Sequence, residues 1–112
     1  MSKILILEDN AERSKAFRRK FIGNCVTIVA EACEVIALLG AENWDALFLD
    51  HDLGGEVMVE SGPGTGYEVA CWLEQNSDRK PEQIVIHSAN PVGRLKMKAA
   101  LPDALVCPFA WK

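Results

Sequence analysis

The chain has 112 residues, 49% of them hydrophobic and 25% charged, with a formal net charge of −4. That length and balance suit one soluble domain built around one core. The acidic charge argues against a broad footprint for duplex nucleic acid, and the short apolar runs and the lack of a signal-peptide pattern argue against a membrane role and point to the cytoplasm.

Lys3-Ile4-Leu5-Ile6-Leu7 is a compact apolar run suited to a central strand, ending in Glu8-Asp9-Asn10. Asp9 or Asn10 can cap the helix that follows, with Glu12 in support. In that helix Ala16, Phe17 and Phe21 recur at helical spacing, surrounded by basic residues, and Gly23-Asn24 is the expected stop. Cys25 to Ala30 reads as a second strand. Glu31 to Leu39 reads as a helix with Val35, Ile36 and Leu39 inward, closed by Gly40. Trp44 to Asp50 is the expected third strand, and it breaks off into Asp50-His51-Asp52 and two glycines. A buried parallel strand looks like this when it surfaces at an active-site edge. A polar turn would look similar.

Residues 54–66 hold five glycines, one proline and no clear periodicity. This is a loop, long for such a domain, and long loops at sheet edges are often functional. Tyr67 to Gln75 reads as a helix with Ala70 and Leu73 inward. Gln83 to His87 is the fourth strand. Asn90 and Pro91 cap and open a helix that runs to about Ala100. Asp103 to Cys107 is the fifth strand. The βαβαβαβαβ pattern predicts a doubly wound parallel sheet of flavodoxin-like order 2-1-3-4-5, without a last helix. Phe109, Ala110 and Trp111 would then fold back over the exposed face, or a second copy would cover it as a homodimer. The four cysteines form no close pair and lie among apolar neighbours, so buried free thiols are expected.

With that strand order, the ends of strands one, three and four converge. They bring Glu8 and Asp9, then Asp50, His51 and Asp52, then His87, Ser88 and Asn90. Both histidines of the chain and four of its sixteen acids are in this set. Two carboxylates about 4 Å apart repel by roughly 4 kcal/mol at an effective dielectric of about 20. Several in one crevice need a cation, and oxygen-rich clusters suit Mg²⁺ or Mn²⁺. Glu8, Asp9, Asp50 and Asp52 are the candidate ligands. Asp50, His51 and His87 are the candidate catalytic groups, the two imidazoles serving as acid and base on a small phosphate ester or an RNA or nucleotide end. Ser88, Asn90 and Gly93, at the start of the helix, are candidates to hold phosphate oxygens. Arg94, nearby, is expected to be solvated.

The layout resembles the receiver domain of two-component response regulators over nearly the whole chain. Glu8-Asp9 stands where receivers carry an acidic metal-binding pair, Asp50 at the phospho-accepting aspartate, and Ser88-Ala89 at the switch Ser/Thr-Ala. Gly66 stands at the glycine opening helix three, and Cys107-Pro108-Phe109 at Lys-Pro-Phe. The chain departs from that pattern at Cys107, in place of lysine, and in the expanded loop. His51-Asp52-Leu53 and His87-Ser88-Ala89-Asn90-Pro91 look like the divergent branch of cyclic-phosphate-processing receiver domains. That resemblance implies an enzyme acting on 2′,3′-cyclic phosphate ends or related nucleotides. The wider one implies a signalling module in which Asp50 accepts phosphate.

Overall fold

The structure is a computed structural model that describes residues 1–53 and 60–112. Five strands, β1 (Lys3–Leu7), β2 (Cys25–Val29), β3 (Ala46–Leu49), β4 (Gln83–Ile86) and β5 (Leu105–Val106), form one parallel sheet of order β2-β1-β3-β4-β5. Four helices connect them: α1 (Ala11–Lys20), α2 (Ala32–Ala41), α3 (Gly66–Gln75) and α4 (Pro91–Ala100). The receiver-like flavodoxin topology read from the sequence is therefore the one observed.

Strand alternation divides the core in two. Leu5, Leu7, Leu47, Leu49, Ile84 and Ile86 pack with α2, α3 and α4 on one face. Ile4, Ile6, Ala46, Phe48 and Val85 pack with Phe17 of α1 on the other. Ala110 is buried on that second face and Trp111 packs against it, so the C-terminal segment does fold back. Lys20 donates a hydrogen bond to the Ala110 carbonyl and ties this segment to α1. Phe109 remains exposed.

Several boundaries differ from expectation. β3 begins at Ala46 and not at Trp44, whose indole N–H donates to the Leu38 carbonyl at 3.1 Å and seats the ring against the end of α2. Gly40 lies inside α2, which runs on to Ala41. Asn10, not Asp9, caps α1, its side chain accepting the Arg13 N–H at 3.0 Å. α1 ends at Lys20, ahead of Gly23, which supplies the positive φ of 92° in the turn. β5 is only two residues long. All four cysteines are free, but Cys25, Cys33 and Cys107 are exposed and Cys71 is half-buried. Cys25 opens an edge strand and Cys107 follows the opposite edge, where no layer covers them. The loop expected over residues 54–66 falls partly outside the described residues. Residues 60–65 approach α3 as turn and bend.

The register lines up Leu7, Leu49 and Ile86 across the sheet. The ladder then continues one rung beyond each strand, with Asp50 N–H to the Leu7 carbonyl at 3.2 Å and His87 N–H to the Leu49 carbonyl at 2.9 Å. Glu8, Asp50 and His87 are thereby held in one row at the carboxyl edge.

Candidate functional site

Alternation carries past the strand ends and sorts the convergent residues into two clusters. Glu8, Asp50 and His87 continue the α1 face. His51 turns to the face of α3 and α4.

On the α1 face, Glu8 is 2% exposed and fully engaged. Its Oε1 accepts from Arg13 Nε at 2.9 Å and lies 3.1 Å from His87 Nε2. Its Oε2 accepts from Arg13 Nη2 and from the Asn10 N–H, both at 3.0 Å. Burial alone would raise the Glu8 pKa. The donors on His87, Arg13 and Asn10 outweigh it and hold the carboxylate at about 2. Burial pulls His87 the other way from its partner, toward the neutral imidazole, and Glu8 opposes that pull. Arg13 already supplies the charge that Glu8 needs. We therefore assign His87 as neutral, with Nε2–H donating to Glu8 and a lone pair on Nδ1. The ring also meets Phe17 edge-on, with centroids 5.0 Å apart.

Asp50 takes the His51 N–H on Oδ1 at 2.8 Å. Its Oδ2 is buried, with no hydrogen-bond partner among the described residues, and His87 Nδ1 is the other such atom. Arg13 Nη2 stands 3.7 Å from Oδ2, beyond hydrogen-bond length. Burial, with the Glu8 charge adding to it, pushes the Asp50 pKa up to about 7. The electrostatic crowding expected from the sequence is real, and the structure answers it in two ways. Arg13 neutralises Glu8, and Asp50 becomes easy to protonate.

Glu8, Asp50 and His87 each offer a ligand atom, all within 4.8 Å of one another. The orphaned Asp50 oxygen and the mixed O/N donor set fit a divalent ion such as Mg²⁺ or Mn²⁺. This grouping differs from the acids-only set of Glu8, Asp9, Asp50 and Asp52. His87 joins it. Asp9 is half-buried at the end of β1. Asp52 faces the second cluster.

In that cluster His51 is 0% exposed. Its Nδ1 lies 2.8 Å from Asp52 Oδ1 and its Nε2 2.8 Å from Ser61 Oγ. Asn90 Nδ2 donates to the same Asp52 oxygen at 3.1 Å, while Asn90 Oδ1 caps α4 by accepting the Gly93 N–H at 3.0 Å. A Cβ on Gly93 would stand 2.5 Å from His51 Cγ. The close approach that Gly93 permits is thus made by the His51 ring. Ser88 Oγ accepts the Asn90 N–H at 3.0 Å and is buried. Arg94 is half-buried and reaches back to the Ser88 carbonyl at 3.3 Å, so it is not simply solvated. Gly66 donates its N–H to the His51 carbonyl at 3.0 Å.

Arg13 and Ser61 escaped the sequence reading. Arg13 looked like one of several surface cations on α1. The available signal was its place in the first turn of a helix that starts directly after Glu8. Ser61 sits in a stretch with no periodicity, and nothing local marks it.

The family described as the cyclic-phosphate processing receiver domain matches residues 3–103. No match was found among curated proteins. Among solved structures, the Mn²⁺-bound form of response regulator Rcp1 is 18% identical, with a TM-score of 0.72, covering 96% of this chain and 81% of that one. TrrA from Thermotoga maritima, in complex with Mg²⁺-BeF, is 18% identical with a TM-score of 0.74, covering 100% of this chain and 91% of that one. The phosphorylated cyanobacterial phytochrome response regulator RcpA is 19% identical with a TM-score of 0.71, covering 95% and 79%. Identities this low speak for the shared receiver fold. With the family model matching residues 3–103 of its 112, this chain belongs to the cyclic-phosphate processing receiver domains, within the response-regulator receiver type.

Proposed function

We propose that this chain is a metal-assisted phosphate-handling receiver in which Asp50 accepts a phosphoryl group. The observation that carries this reading is the Asp50 carboxylate itself. One oxygen is held by the His51 N–H, and the other is buried, without a partner among the described residues, beside Glu8 and His87. A fixed carboxylate with one oxygen unspent is arranged for attack on phosphorus or for metal ligation. A bound Mg²⁺ or Mn²⁺ would neutralise charge on the phosphoryl oxygens. In the transfer, a bond forms from an Asp50 oxygen to phosphorus, and the bond from phosphorus to the donor breaks, its electron pair leaving with the donor. Ser88, with its hydroxyl oriented by the Asn90 N–H, supplies an O–H donor to a phosphoryl oxygen. The Mg²⁺-BeF complex of TrrA and the phosphorylated state of RcpA lend support by analogy.

The test is addition of BeF₃⁻ and Mg²⁺ with amide NMR. Shifts at Asp50 and Ser88 that vanish in Asp50→Asn support the reading. Spectra that do not respond at saturating reagent overturn it.

A second reading has one observation in its favour. His87 Nδ1 is a buried lone pair with no partner among the described residues, and an imidazole so placed can take a proton from water. Cys107, where receivers carry lysine, and the family's own description lean the same way. In this reading the substrate is a 2′,3′-cyclic phosphate at a nucleotide or RNA end. Water adds to phosphorus and gives a proton to His87 Nδ1; the ring P–O bond breaks with its electron pair on the released oxygen, which takes that proton back. The enclosed His51, with both nitrogens bonded, serves better as a support than as the second proton carrier. Turnover of cytidine 2′,3′-cyclic phosphate with Mn²⁺, lost in His87→Ala, would favour this reading over the first.

A further inference from the structure

Each Glu8 oxygen has room for two in-plane donors, and all four places are taken. Arg13 fills two of them, His87 and the Asn10 backbone one each. A divalent ion cannot bind Glu8 until one donor leaves. The Asn10 N–H belongs to the backbone at the head of α1, and His87 is walled in at 3% exposure. Only Arg13 sits on a long flexible side chain with a way out, its side chain being 37% exposed. It also reaches toward the open Asp50 oxygen, 3.7 Å away.

We propose that Arg13 is a removable internal counter-ion, a guanidinium that holds the divalent site closed and must swing into solvent for the ion to enter. This rests on the metal-assisted reading above and adds to it a competitor built into the chain. The planar fork matches the carboxylate with two parallel bonds, so its hold is strong and geometrically specific. The ion and the fork compete for the same lone pairs. Occupancy of the site is then set by the difference between two cations and not by the acids alone.

The experiment is a Mn²⁺ binding titration of the native chain, Arg13→Gln, Arg13→Lys and Asp50→Asn. Arg13→Gln should bind Mn²⁺ on the order of tenfold more tightly, the scale of one charge-assisted hydrogen bond. Arg13→Lys, which cannot form the fork, should fall between it and the native chain. Equal or weaker binding in Arg13→Gln overturns the competition. If Asp50→Asn binds Mn²⁺ as the native chain does, the metal reading itself fails, a separate outcome.

A second measurement needs no variant. In metal-free native chain the Arg13 Nε–H, held by Glu8, should give a protected signal in isotope-labelled arginine NMR. Saturating Mg²⁺ should shift that signal and expose it to exchange. A signal unmoved at saturation overturns the proposal even if Arg13→Gln fails to fold.

Discussion

His87 Nε2 lies 3.1 Å from Glu8 Oε1, and this bond joins the ends of β4 and β1 across the intervening β3. It passes beside Asp50 on the same face of the sheet. Cutting it should therefore loosen the site and weaken the fold together. His87→Leu leaves Glu8 short of one donor and should cost about 1–3 kcal/mol. Urea unfolding at neutral pH measures this. An unchanged midpoint would contradict it.

Glu8 and Asp50 should shape acid stability in opposite senses. The Glu8 pKa falls from 4.5 to about 2 on folding, so its contribution is complete above about 4.5 and is lost as pH falls toward 2. Glu8→Gln should flatten that acid limb.

The Asp50 pKa rises from 3.8 to about 7, so the native state holds the extra proton in that window. Stability should decline as pH rises through it, with the full cost present above about 7. Asp50→Asn removes the decline. With a chelator present, the variant should exceed the native chain by roughly 2–4 kcal/mol near pH 8 and match it near pH 4. Equal unfolding midpoints at both pH values would refute this.

Gly93→Ala should be costly because its new Cβ would lie 2.5 Å from the His51 ring, which has nowhere to go at 0% exposure. A loss of about 1–3 kcal/mol fits such overpacking. Adding His51→Ala should remove the clash, so the second substitution in that pair costs much less than it does alone. A thermal-unfolding cycle of the four proteins reads this coupling directly. Strict additivity would contradict the contact.

Asn90→Ala removes the α4 cap and the donor to Asp52 at once. The loss should reach about 1–2 kcal/mol, and more than that of Asn90→Ser, which keeps a capping oxygen without setting a second carboxylate beside Asp52. Chemical denaturation of both variants at neutral pH separates the two contributions. Equal losses would mean that the cap is not the main effect.

The sheet order was legible because five apolar runs alternate with helical spacings, and crossover rules leave few ways to connect them. The row of Glu8, Asp50 and His87 was legible for the same reason, since each directly follows a strand. The division of the set into two faces was not. It depends on strand parity, which is fixed only once the register is known; a one-residue slip would have exchanged His51 for Asp50. Arg13 was hidden because a cation on an amphipathic helix looks like surface until the helix is docked. The exposed cysteines were misread for a related cause. Apolar neighbours in sequence do not bury a residue at the rim of a sheet, as at Cys25 and Cys107, or on the outer face of a helix, as at Cys33 in α2.

Gly66 has a wider consequence. A Cβ there would stand 1.8 Å from the Asp50 carbonyl oxygen, and its own N–H is bonded to the carbonyl of His51. The head of α3 and the tail of β3 are thus riveted together at the backbone. The Asp50 carboxylate owes its address to a neighbouring helix as much as to its own strand, and a side chain at position 66 would push the two apart.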